Sequence, residues 1–155
     1  MNYGEKNMPK NMNTRLVLDS NEFIFGFLKT KNECIIVINL CRKKKINIII
    51  PTLILDEVFE NIKIETNKDF ASRVRDLILK ADNIEVIETL NIPLSLIEKY
   101  KSKGLKEADA SIAAFAEWTK SILISENRHF LKGIKVDEFK ILSAKEFLSE
   151  YGNRL

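Results

Sequence analysis

Four groups of oxygen-bearing side chains, far apart along the chain, have similar surroundings. Asp19 follows the apolar run Leu16–Leu18, Glu57 lies in an apolar stretch, and Asp109 lies near the start of an alanine-rich segment. The fourth group is Ser125–Asn127, which follows another short apolar run. Carboxylates that meet in one cleft repel each other unless a cation holds them. Oxygen ligands select hard cations, so Mg²⁺ or Mn²⁺ is the expected cofactor.

A carboxylate site of this kind suits phosphoryl or phosphodiester transfer. One cation activates the attacking water and a second ion stabilises the leaving oxygen. The sequence has no glycine-rich phosphate loop ending in Lys-Ser or Lys-Thr. It also has no serine and acid set around its single histidine that indicates hydrolase chemistry. A phosphatase or phosphorelay domain is disfavoured, because Asn21 stands where a haloacid-dehalogenase phosphatase has its second aspartate.

Each of these residues also has an ordinary structural explanation. Asp19 is well placed to cap a helix, and acids such as Glu107 and Asp109 interact favourably with a helix dipole. Glu57 could lie at the edge of an apolar stripe with its carboxylate in water. We favour a functional role for Asp109 only because Asp19 and Glu57 accompany it. A metal-ligand role for His129 is not expected, because a lone loop histidine is usually a surface or capping residue.

Strands and helices alternate along the chain and position these residues. Short apolar, often β-branched runs predict strands at residues 16–18, 47–50, 84–87, 122–124 and 139–142. Helical spacing predicts helices over residues 20–29, 32–45, 51–63, 68–81, 93–101, 106–120 and 144–150. This alternation implies an α/β fold, a three-layer α/β/α sandwich with a central, mainly parallel sheet. Ligands of such sheets bind beyond the carboxyl ends of the strands, where Asp19 is expected.

The bulk composition predicts one folded domain of ordinary size. The chain has 155 residues, of which 45% are hydrophobic and 30% charged, so a packed core and a solvated surface are expected. The net charge of +3 permits contact with nucleic acid but does not argue for it. We expect residues 1–14, which are polar and rich in asparagine, to be a flexible tail, and residues 15–155 to be the single domain.

The two cysteines and the lack of long apolar runs indicate a cytoplasmic protein. On a helix, Cys34 and Cys41 lie roughly 10 Å apart along the axis, too far for a disulfide. They are expected to be small buried residues of a reducing compartment. With one histidine and no Cys-x-x-Cys motif, a structural zinc site is not expected. No apolar run approaches the roughly 18 residues that cross a membrane, and no signal peptide is recognisable.

Four blocks of the sequence resemble those of the PIN-domain nucleases, a family that includes the VapC-type toxins of toxin–antitoxin pairs. The blocks are Leu16–Asn21, Pro51–Val58, Glu107–Ala114 and Ile122–Phe130. Each block is weak alone, but four in this order and spacing are fairly specific. The resemblance covers residues 15–147, nearly the whole chain.

The resemblance implies a PIN-like α/β/α fold and Mg²⁺- or Mn²⁺-dependent cleavage of single-stranded or structured RNA. By motif match, Asp19, Glu57 and Asp109 are the catalytic acids and metal ligands. Asn127 is a further metal ligand at a position that is often aspartate in the family. As a neutral ligand, it would hold a second metal ion less tightly.

Supporting roles also follow from the resemblance. The hydroxyl of Ser20 would orient Asp19 or a water molecule on the cation, and Glu107 or Glu126 could compensate for the neutral Asn127. A cation near the cleft, such as Arg128, would hold the RNA backbone.

Two functions therefore stay open. The leading hypothesis is a metal-dependent endoribonuclease that hydrolyses RNA phosphodiester bonds. A toxin role would add an antitoxin partner, and the resemblance favours a homodimer. The alternative is a catalytically weak or inactive PIN-fold module that binds RNA or a protein partner, and Asn127 motivates it.

Overall fold

The computed structural model describes residues 14–155, so the predicted tail at residues 1–14 lies outside the described residues except for Thr14. Five strands are present there: β1 (Arg15–Leu18), β2 (Asn47–Pro51), β3 (Ile84–Ile87), β4 (Ile122–Ile124) and β5 (Ile141–Leu142). The α-helices are α1 (Ser20–Phe27), α2 (Asn32–Arg42), α3 (Thr52–Glu65), α4 (Lys68–Lys80), α5 (Leu94–Ser102), α6 (Glu107–Thr119), α7 (Arg128–Leu131) and α8 (Ala144–Tyr151). Two 3₁₀ turns cover Thr89–Asn91 and Gly152–Arg154.

The strands form one parallel sheet in the order β3-β2-β1-β4-β5. β1 is central, and Leu18 at its end lies opposite Ile124 at the end of β4. The central strands are almost completely buried, because helices cover both faces of the sheet. The predicted mainly parallel sheet is therefore confirmed, and the first strand occupies its middle.

The helices form the two outer layers of the predicted α/β/α sandwich. Helix α1 packs against both α2 and α3, α4 packs on α3, and α8 packs on α2. Helix α5 packs on α6, which contacts β2 and β4. Residues 110–116 of α6 are all buried, although the sequence predicted one apolar face. The alanines make this possible, because small side chains let the helix approach both the sheet and α5. No described helix is long and apolar enough to cross a membrane.

The element boundaries differ from the predictions in three places. Pro51 ends β2 and is the N-cap of α3 instead of opening the helix, because its ψ of 158° is extended. The strand predicted over residues 139–142 contains only Ile141–Leu142. The four-residue helix α7 was not predicted, because it is too short to show helical periodicity.

Candidate active site

Asp19 lies at the carboxyl end of the central strand and has two structural roles. It is the N-cap of α1, and its Oδ1 accepts a hydrogen bond of 2.8 Å from the amide of Ser20. Its Oδ2 accepts a hydrogen bond of 2.6 Å from the hydroxyl of Ser125, which follows β4. The carboxylate is only 4% exposed. The capping role and the predicted place at the sheet edge are thus both present.

Helix α3 carries Glu57 toward the same edge of the sheet. The helix starts directly after β2, and Pro51 has no side-chain group with which to cap it. The hydroxyl of Thr89 takes this role, because it accepts a hydrogen bond of 2.9 Å from the amide of Leu53. Glu57 is half-buried, and its carboxylate interacts with the Ser20 hydroxyl. Ser20 therefore contacts Asp19 through its amide and Glu57 through its side chain.

Asp109 and Asn127 are in contact with each other within the cluster. Asp109 lies in the first turn of α6, and its Oδ1 accepts a long hydrogen bond of 3.5 Å from Nδ2 of Asn127. Oδ1 of Asn127 accepts a bond of 2.9 Å from the amide of His129 and so caps α7. The amide of Asn127 donates to the Ser125 hydroxyl at 3.0 Å. Asn127 thus connects Asp109 to Ser125, whose hydroxyl donates to Asp19.

The acids of this cluster perturb each other electrostatically. Burial raises the pKa of Asp19, hydrogen bonds from Ser125 and Ser20 oppose the rise, and the charge of Asp109 adds to it. Burial also raises the pKa of Glu57, and the charges of Asp19 and Asp109 contribute in the same direction. Like charges close enough to raise the pKa of a neighbouring acid are favourably placed to bind a cation, which would relieve the repulsion.

The ligand chemistry of the cluster fits a hard divalent cation. Asp19, Glu57 and Asp109 offer only oxygen atoms, which Mg²⁺ and Mn²⁺ prefer. Their oxygens are spaced too widely to form a set of three within 4.8 Å among the described residues. Mg²⁺ usually binds one or two carboxylates and keeps several water molecules, so this spacing suits it.

Two predicted supporting acids do not join the cluster. Glu107 is 79% exposed at its side chain and pairs with Lys101 at 3.5 Å, so it cannot compensate for a neutral Asn127 in this arrangement. The carboxylate of Glu126 instead accepts hydrogen bonds from Lys31 at 2.8 Å and from the amide of Ala144 at 2.9 Å. Arg128 is exposed at the start of α7, one residue beyond Asn127.

The role of Ser125 toward Asp19 was not predicted. The sequence showed a serine after an apolar run, but it could not show that β4 lies beside β1. That adjacency places residues 106 positions apart within hydrogen-bond distance.

The family model described as PIN domain matches residues 16–135, which include all the residues of the cluster. The chain belongs to the PIN-domain family. The PIN match covers more than three-quarters of the chain, so the family resemblance of the four sequence blocks is confirmed. No curated protein matches the sequence significantly.

Several solved structures share the fold of this chain. A chain of VapBC2 from Rickettsia felis, bound to a promoter DNA fragment, is 19% identical with a TM-score of 0.59, and the match covers 82% of this chain and 96% of that one. A chain of DNA-bound VapBC from Salmonella typhimurium is 15% identical with a TM-score of 0.64, and the match covers 84% of this chain and 98% of that one. A chain of a toxin–antitoxin complex from Klebsiella pneumoniae is 18% identical with a TM-score of 0.58, and the match covers 81% of this chain and 99% of that one.

Proposed function

We propose that this PIN-domain protein is a divalent-metal-dependent endoribonuclease formed by residues 15–155, with Asp19, Glu57 and Asp109 as its catalytic acids. The observation that carries the proposal is that these three acids converge at the carboxyl edge of the sheet, where the charge of Asp109 raises the pKa of both Asp19 and Glu57. Helix capping accounts for Asp19 alone and the helix dipole for Asp109 alone, but neither explains why three acids meet there. A bound cation would stabilise all three.

In this proposal the protein residues hold the cation and the RNA in place. A bound Mg²⁺ or Mn²⁺ would supply positive charge at the phosphate and lower the pKa of the attacking water. The Ser125 hydroxyl and the Ser20 amide donate to the two oxygens of Asp19 and favour its ionised form against the effect of burial. Asn127 orients Asp109 by its side-chain amide. Arg128, exposed at the rim, would bind the RNA backbone.

The proposal is tested by cleavage of a mixed set of end-labelled RNAs with Mn²⁺, Mg²⁺ or EDTA. Wild type should cut in the presence of a metal ion and not in EDTA, and Asp19→Asn should lose at least about 100-fold in rate. Glu107→Gln is the matched control, because this acid points away from the cluster, and its rate should stay within about twofold of wild type.

A second candidate function is an RNA- or protein-binding module without cleavage. Asn127 favours it, because its side-chain oxygen already caps α7 and its amide contacts Asp109, so it adds no charge for a second metal ion. RNA binding that persists in EDTA, with no cleavage under any metal ion, would support this function over the nuclease. Asn127→Asp should then create or raise metal-dependent cleavage.

We also propose that the protein is the toxin of a toxin–antitoxin pair. The support is that three of the similar structures are described as VapBC or toxin–antitoxin assemblies. Co-expression with the product of a neighbouring gene should give a stable complex in which cleavage is suppressed. Light scattering on the free protein tests the homodimer that the family resemblance favours.

A further inference from the structure

Glu22 is a buried acid that the proposed nuclease site does not use. It lies in the first turn of α1, and its residue is fully buried. Neither of its carboxyl oxygens receives a hydrogen bond from an amine, amide or hydroxyl group of the described residues. A buried carboxyl group without such a donor is costly, so it calls for a ligand or a proton that satisfies it.

Two further ligand groups surround this carboxyl. Cys34 comes from the first turn of α2, and Glu126 follows β4. One ligand atom from each of Glu22, Cys34 and Glu126 lies within 4.8 Å of the other two. A point therefore exists that is at most about 2.8 Å from all three atoms, against about 2.0–2.3 Å for Zn²⁺ bonds to oxygen and sulfur. Small side-chain movements would close that difference.

Protons occupy this place when no cation is bound. Burial raises the pKa of Glu22 to about 10, so its carboxyl is protonated at neutral pH and faces the carboxylate of Glu126. Burial also raises the pKa of the Cys34 thiol. A divalent cation would displace these protons, since metal ligands must be deprotonated. Its affinity should therefore rise steeply with pH.

We propose that Glu22, Cys34 and Glu126 form a second cation site, which takes a borderline-soft divalent ion such as Zn²⁺. The thiolate distinguishes this site from the oxygen-only cluster, because sulfur ligands favour Zn²⁺ over Mg²⁺ and Mn²⁺. A zinc site was not expected from the sequence, which has no Cys-x-x-Cys motif. Here the ligands come from three separate elements. The inference does not depend on the proposed nuclease function.

The surroundings of the three ligands meet the other requirements of a metal site. The amide of Ala144 donates to Oε2 of Glu126 at 2.9 Å, and this hydrogen bond holds the ligand in a fixed orientation. Lys31, whose side chain is 43% exposed, covers Glu126 from the solvent side at 2.8 Å. Movement of this flexible side chain would open a path for the ion. A bound cation would join α1, α2 and the loop after β4.

Co²⁺ titration of the full-length protein tests the proposal, because Co²⁺ replaces Zn²⁺ and bonds to thiolate give a near-ultraviolet charge-transfer band. Wild type should develop this band, and excess Zn²⁺ should remove it. Cys34→Ser should lose the band, and Glu22→Gln should weaken Co²⁺ binding at least about 10-fold. Cys41→Ser is the matched control, because Cys41 is the other buried free cysteine and lies on the same helix.

Asp19→Asn separates the two sites. It should keep the band even though it loses nuclease activity, so a failure of the proposed function would leave this result unchanged. Thermal unfolding in EDTA checks that each variant is folded before titration. The inference is overturned if wild type gives no band, or if the band survives in Cys34→Ser.

Discussion

At the scale of single residues, the ionisation of Asp19 depends on two opposing effects. Burial disfavours its charged form, whereas the hydroxyl of Ser125 and the amide of Ser20 donate to the charged form and stabilise it. The donor at 2.6 Å is the closer of the two. Hydrogen bonds to charged groups contribute about 1.5–3 kcal/mol, so loss of this donor should have a measurable effect.

Ser125→Ala should shift the acid limb of the cleavage profile to higher pH. The substitution removes a donor to ionised Asp19, so the pKa of Asp19 rises further and less of the active form is present at low pH. We expect about a 10-fold loss of rate on the acid limb and a smaller loss at high pH. Rates measured from pH 5 to pH 9 in saturating Mn²⁺ test this.

The same substitution has a defined effect on stability. The raised pKa means that folded Asp19 retains its proton where the unfolded chain has lost it, so stability falls as pH rises through that window. Metal-free Ser125→Ala should show a larger fall in Tm between acid and neutral pH than wild type. Ser121→Ala is the control, because Ser121 is buried at the opposite end of β4 and its hydroxyl bonds to Thr119. Identical pH profiles for wild type and Ser125→Ala would refute the role of Ser125.

The sequence predicted the types of the site residues better than their partners. Asp19, Glu57 and Asp109 were found because acids beside apolar runs are unusual and because their spacing resembles a family pattern. The partners of Ser125 and Glu126 depend on which strands and helices are neighbours, and one sequence does not contain that order. Glu22 was missed for a related reason, since a single acid in a first helical turn looks like an ordinary favourable charge.

At the scale of elements, Gly26 allows helices α1 and α2 to pack closely. A methyl group there would overlap the side chain of Ile38 and come within 3.0 Å of the carbonyl oxygen of Cys34. Helices α1 and α2 therefore pack more closely than any larger residue would allow. This contact also sets the distance between Glu22 on α1 and Cys34 on α2.

Gly26→Ala should destabilise the protein although alanine is the better helix former. Alanine gains about 1 kcal/mol in helix propensity, but overpacking of a tight core costs about 1–3 kcal/mol, and the carbonyl contact involves backbone that cannot simply rotate away. The cost of overpacking should exceed the gain in helix propensity, so the Tm of Gly26→Ala should be lower than that of wild type by about 2–6 °C in thermal unfolding.

Gly152→Ala provides the comparison for Gly26→Ala. Gly152 has helical angles, with φ of −57°, and nothing lies within 4 Å of an added methyl group. This variant should be as stable as wild type or slightly more stable. Equal stability of both variants would show that α1 and α2 separate at little cost.

Most elements were predicted from periodicity, and the exceptions have physical causes. β1, β3 and β4 agree with the predicted strands to within one residue, because each is a short apolar or β-branched run between polar residues. α7 and β5 are too short for a periodic signal. The short β5 is an edge strand, which is held by β4 alone.

At the scale of the whole molecule, the net charge of +3 combines an acidic cluster with a larger number of lysines and arginines. In the proposed function, RNA would approach the carboxyl edge of the sheet against the charges of Asp19, Glu57 and Asp109. Cations on that edge are therefore expected to contribute most of the binding. Arg128 lies there, whereas Lys120 lies before β4 at the opposite edge.

Arg128→Gln should reduce the salt dependence of RNA binding. Loss of one phosphate contact lowers the slope of log affinity against log salt by about 0.7 for single strands. The slope should be measured by fluorescence anisotropy in EDTA. Each variant should also carry Asp19→Asn, so that no RNA is cleaved during the measurement. Lys120→Asn is the control, since Lys120 is exposed with φ of 54°, which asparagine tolerates. Equal slopes for the two variants would place the RNA elsewhere.

The central position of β1 has a consequence for the synthesis of the protein. The central strand β1 obtains its second neighbour only when β4 has been synthesised, because Asp19 and Ser125, which follow the two strands, are hydrogen-bonded across 106 positions. Contacts so distant in sequence form late in folding. A nascent chain would carry Asp19 and Glu57 long before Asp109 and Ser125 exist. The proposed nuclease site would therefore be incomplete until β4 has been synthesised.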